Sequence, residues 1–115
     1  MKKLLLIISF LFLSNIIYSQ TINCDENDIC VVEFNAGWNE SNSCKWLDKL
    51  NDCGIKRISI DKGEWKEKFK IFAVPTIIVF NGEEVKRFSP TIMIQVDAKL
   101  EDIQEVIDET IMSNF

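Results

Sequence analysis

Thr76-Ile77-Ile78-Val79-Phe80 is the segment that most narrows what this chain can become. Its β-branched and aromatic run has no polar alternation, so it needs apolar cover on both faces and predicts a buried strand. Asn81-Gly82 follows at once and supplies the positive-φ residues of a tight hairpin. Glu84 to Phe88 is therefore expected to return antiparallel. Cys30-Val31-Val32-Glu33-Phe34 has the same apolar character and predicts a central, parallel strand. Arg57 to Ile60 alternates weakly and predicts another strand. Between these lie helical patterns. Cys44 to Leu50 sets Trp46, Leu47 and Leu50 on one face, with Cys53 following and Gly54 as the stop. Glu64 to Lys70 spaces Trp65 and Phe69 at i, i+4. Leu100 to Met112 carries a stripe of Leu100, Ile103, Val106, Ile107 and Ile111. The order β-α-β-α-β-β-α predicts an α/β domain with a central mixed sheet flanked by helices.

The N-terminus belongs to a different class of segment. Lys2 and Lys3 precede the apolar run Leu4 to Leu13, and Tyr18-Ser19-Gln20 resembles a cleavage zone. That pattern predicts a signal peptide over residues 1–19. The run is well short of the ~20 residues that a membrane span needs. Ile17 is large for the third position before a cut after Ser19. Thr21-Ile22-Asn23 lacks the small residue expected before a lipid-modified cysteine at Cys24. Residues 20–29 read as a polar tail and 30–115 as one domain. The expected compartment is periplasmic or extracellular, where disulfides persist.

Composition removes several function classes. The chain has 13 basic and 18 acidic residues, and loses Lys2 and Lys3 with the leader, so the mature part carries −7. Such a domain repels phosphate backbones, and nucleic acid is not an expected partner. There is no histidine, which excludes His-based triads and His-ligated zinc. The acids Asp97, Glu101, Asp102, Glu105, Asp108 and Glu109 read as a solvated helix face. No cofactor or metal site is expected.

Three local motifs, in this order, resemble the thioredoxin family. Phe34-Asn35-Ala36-Gly37-Trp38 is similar to the family's strand end leading to the active-site Trp. Ala73-Val74-Pro75-Thr76 is similar to the stretch that holds its cis-proline, and Phe80-Asn81-Gly82-Glu83 to the hairpin beyond. The likeness spans roughly residues 29–88, and the resemblance implies a minimal thioredoxin-like fold. The strand and helix that open full-length members have no room, and the first helix is shorter.

Family chemistry uses two cysteines two residues apart at a helix start, where N–H groups stabilise the thiolate. The first attacks a disulfide and the second resolves the mixed disulfide. Here Trp38 is followed by Asn39-Glu40-Ser41-Asn42-Ser43-Cys44-Lys45. Without a gap, Asn39 and Asn42 take the cysteine positions. With two residues inserted, Ser41 and Cys44 take them, and Trp46, Leu47 and Leu50 then face the core better. Neither register gives a dithiol, so the active site reads as degenerate. Cys44 is the candidate catalytic thiol, set against a purely structural role under the helix start. The resemblance also implies that Val74, just before a cis Pro75, offers its backbone to an extended segment. Trp38, Asn39, Ser41, Asn42, Val74 and Pro75 are the candidate binding residues, and a protein or extended peptide is the expected partner. Two functions compete: a non-catalytic binding module, and a monothiol oxidoreductase or isomerase acting through Cys44.

Four cysteines allow three full pairings. On one continuous helix Cys44 and Cys53 would lie about 13 Å apart, too far to pair. In the family the site lies at the strands' carboxyl ends. Cys30 and Cys53 then belong at the opposite pole, so the expected disulfide joins Cys53 to Cys30 or Cys24. Finally, Ile92, Ile94 and Val96 alternate as an extra strand would, either covering one end of the core or forming an edge.

Overall fold

The computed structural model describes residues 22–24 and 27–114. The expected signal peptide and its cleavage zone lie outside the described residues. Four strands form one mixed sheet: β1 (Cys30–Asn35), β2 (Gly54–Ser59), β3 (Thr76–Asn81) and β4 (Glu83–Phe88). Their spatial order is β2-β1-β3-β4. β1 pairs parallel with β2 and antiparallel with β3, and β3 returns antiparallel into β4. Gly82 takes the hairpin's left-handed position at φ 78°. The expected strands and hairpin are therefore present.

Alternation along β1 divides the core into two faces. Cys30, Val32 and Phe34 join Phe69, Ile78 and Phe80 on one. Phe69 sits 5.3 Å from Phe34 and 5.7 Å from Phe80, ring centre to ring centre. Val31 joins Leu47, Ile77, Val79, Ile103 and Ile107 on the other. Helix α1 (Trp65–Lys68) supports the first face, and α2 (Leu100–Ser113) covers the second. The apolar stripe expected on the last helix is the face it buries: Ile103, Val106 and Ile107 are buried, and Leu100 and Ile111 pack at the margin. Asp102 closes the first turn of α2 by accepting from the Lys99 backbone N–H at 2.8 Å. Trp65 and Trp46 pack half-buried, one against each face of the core.

Three expectations are corrected. The helix expected from Cys44 to Leu50 is a 3-10 segment, Lys45–Lys49, preceded by two tight 3-10 turns over Gly37–Asn42. Asn39, Ser41, Asn42 and Ser43 are poor helix formers, and the Asn39 and Asn42 side chains bond to each other across one turn, which favours short turns. Next, the disulfide joins Cys24 to Cys30, and Cys53 is free. Cys53 does lie at the expected pole, but on the wrong side of the sheet. Cys24 and Cys30 pack on the first face, whereas Cys53 packs on the second. The bridge also pulls the polar tail inward, so that Ile22 and Cys24 are both buried. Gly54 is what lets it approach: a Cβ there would stand 2.4 Å from the Cys24 Cβ. Lastly, Ile92 to Val96 form no strand. Pro90 and Val96 make a single bridge, closing a loop that leaves Ile92 and Met93 in solvent.

Candidate functional site

The sheet brings three loops to one pole: the turns after β1, the Ala73–Pro75 stretch before β3, and the 90–96 loop after β4. Between them lies an apolar cavity of about 350 Å³, walled by Trp38, Phe72, Val74 and Ile94, with Lys66 as its charged lining residue. Trp38 is 70% exposed and Phe72 is 89% exposed. Side chains of that size left in water beside a concavity make this pole the candidate interaction surface. Val74–Pro75 is cis, as the family resemblance implies. Neither backbone group of Val74 makes a backbone hydrogen bond among the described residues. Thr76 fixes the approach to β3 by donating its hydroxyl to the Ala73 carbonyl at 2.7 Å.

The other candidate residues do not join that cavity. Ser41, Asn42 and Cys44 line a separate one with Trp46 and Gln95. Asn39 lies between the two, and is only 2% exposed. Its Nδ2 donates to Asn35 Oδ1 at 3.1 Å and to the Ile94 carbonyl at 3.3 Å. Its Oδ1 accepts from Asn42 Nδ2 at 2.7 Å. The two positions that the ungapped register gives to cysteines are thus joined by a hydrogen bond between amides. Such a link satisfies buried polar groups and carries no electrons.

Cys44 is buried on the second face of the sheet, above Glu33. Glu33 is an acid inside an apolar strand, and alternation turns it to the same face as Val31. It is 2% exposed, yet fully partnered. It accepts from the Cys44 backbone N–H, from Ser43 Oγ at 2.6 Å and from Arg57 Nη1 at 2.9 Å. This carboxylate clamps the start of the 3-10 segment onto the sheet. It also affects the thiol. Burial first, and then the Glu33 charge, push the Cys44 thiol up to about 11, against weaker pulls from backbone N–H groups and Arg57. At neutral pH it is a protonated thiol, not a nucleophile. Sequence reading took Glu33 as part of a strand and missed its role. The signal was present: a lone charge within CVVEF needs partners if the strand is buried on both sides.

No protein-family model matches the sequence, and no curated protein matches it. Solved structures do match. A mutant thioredoxin from Halobacterium salinarum is 21% identical, covers 73% of this chain and 75% of its own, and gives a TM-score of 0.55. Thioredoxin-2, a component of the malaria parasite's protein secretion machinery, is 19% identical over 78% of this chain and 89% of its own, with a TM-score of 0.55. Fasciola hepatica thioredoxin is 24% identical over 70% and 79%, at 0.52. At such identities the likeness is one of architecture. The chain has the thioredoxin-like fold.

Among the described residues, no helix is long and apolar enough to cross a membrane. No group of acidic or cysteine side chains there could hold a metal ion.

Proposed function

We propose that this is an exported thioredoxin-like domain with a degenerate active site, a non-catalytic module that docks an extended segment of a protein partner. The observation that carries this reading is the cavity between Trp38 and Phe72, which opens beside the Val74 backbone, unpaired among the described residues. An added segment would pair with Val74 and set its side chains against the two aromatic rings, the strand-addition mode of peptide recognition. The leader pattern and the disulfide support export. One structural neighbour is a component of a secretion machinery, and a docking role within a larger assembly is in keeping with this reading.

The competing reading is a monothiol oxidoreductase or isomerase working through Cys44. Its thiol is protonated at neutral pH and lies outside the Trp38 cavity. Insulin reduction driven by dithiothreitol separates the two. Wild type and Cys44→Ser are expected to give the same background rate. Turnover that vanishes with Cys44→Ser would establish the enzyme instead. Export is checked by N-terminal sequencing of the protein recovered from an envelope fraction or medium, where the chain is expected to begin near Gln20.

A further inference from the structure

We infer that Ile94 is the selectivity-determining wall of this groove, shaped to receive one large apolar side chain of the bound segment, and that Asn39 is the residue that positions it. The inference rests on the peptide-docking reading and deepens it.

Ile94 has φ 59°. For a β-branched residue the left-handed region is a true outlier, and glycine or asparagine would hold the same backbone more easily. Such a conformation persists only where its surroundings fix it. Here they do. The Ile94 N–H donates to the Thr91 carbonyl at 3.0 Å, and the Thr91 N–H to the Gln95 carbonyl at 2.9 Å. Asn39 then reaches across from the turn after β1 and donates to the Ile94 carbonyl at 3.3 Å. Asn42, bonded to Asn39, also accepts from Gln95 Nε2 at 3.3 Å. An amide cluster rooted in the buried Asn39 therefore fastens the 90–96 loop at its residue of positive φ.

Core packing does not account for the isoleucine. Ile94 belongs to neither buried cluster and stays 38% exposed. Ile94 instead lines the cavity together with Trp38 and Phe72. A large apolar side chain kept at a backbone position that favours glycine, outside the core and facing an apolar cavity, is there for what enters the cavity. An aromatic or large aliphatic residue of the partner would lie against Trp38, Phe72 and Ile94, burying apolar surface on both sides.

The test uses fluorescence anisotropy with two labelled nine-residue peptides, identical except for Phe or Ala at the central position. Wild type is expected to bind the Phe peptide at least tenfold more tightly. Ile94→Gly removes the wall and relieves the backbone, so the preference should fall below threefold while the thermal midpoint rises. Asn39→Ala should lose the same preference, and the Ile94 amide–Hα coupling constant should move away from its left-handed value. If Asn39→Ala does not fold, Asn39→Asp keeps the acceptor for Asn42 but removes the donor to Ile94, and the same loss is expected. A preference that survives Ile94→Gly overturns the assignment. Equal binding of both peptides by wild type also overturns it, while leaving the groove intact. Binding of neither peptide overturns the docking reading itself, and the inference with it.

Discussion

The two poles of the sheet are built on opposite principles. At the pole where β1 begins, Cys24 and Cys30 are joined, Ile22 is buried, and Gly54 leaves only enough space for the bridge. At the pole where β1 ends, Trp38 and Phe72 stand in water, Ile92 is 99% exposed, and Ile94 holds a strained backbone. One end has spent its apolar surface on stability, and the other has kept it available. Exposure of that kind costs a small domain part of its core, so the closed pole is expected to carry a disproportionate share of the stability.

The largest effect should come from opening the closed pole. The bridge spans a sequence separation of only 6, so Cys24→Ser with Cys30→Ser is expected to cost about 2 kcal/mol by the chain-entropy estimate, read as a lower midpoint in urea unfolding. Gly54→Ala forces a Cβ to within 2.6 Å of the Cys24 sulfur as well as its Cβ. It should cost about 1–3 kcal/mol by overpacking, and an unchanged midpoint would show that the pole has slack. The open pole should respond in the opposite sense. Trp38→Ala and Phe72→Ala are expected to shift stability by less than about 0.5 kcal/mol, while each weakens peptide binding at least ~10-fold. If either substitution unfolds the domain, the contrast between the poles is lost. Ile94→Gly should stabilise by about 1 kcal/mol as its positive φ is relieved.

The smallest effect concerns the two free thiols. The Cys44 and Cys53 thiols are each pushed up to about 11 from an ordinary 9.0, chiefly by burial. Their folded values exceed their unfolded ones, so the stabilisation is complete below pH 9 and is lost as pH rises through about 11. Chemical denaturation across that window should show a falling midpoint. Iodoacetamide should alkylate Cys44 slowly at neutral pH and faster toward pH 11. Rapid alkylation at neutral pH would mean a low-pKa thiol and would reopen the enzymatic reading.

The strands, the hairpin and the last helix were legible because each is specified by residues close together in sequence. TIIVF followed by Asn-Gly allows few other outcomes. Trp38, Val74 and Pro75 could be singled out as candidates from local motifs, and the sheet brings their loops to one pole. The Cys53 pairing was not legible. Pole could be judged from strand position, but the side of the sheet depends on register, and Cys30 opposite Gly54 places Cys53 on the far face. The helix after Trp38 was overestimated because its apolar spacing suited a helix, whereas its amides and hydroxyls favoured 3-10 turns.

Periodicity and turn chemistry are local properties, and they sufficed for the layers and the order of elements. Packing was needed to decide which cysteine met Cys24, that Glu33 is a buried clamp beneath Cys44, and that Asn39 reaches a carbonyl in a loop 55 residues away. Those outcomes depend on which faces meet and at what distance. A buried polar group takes the nearest partner that the packed chain supplies, and no local pattern encodes which one that will be.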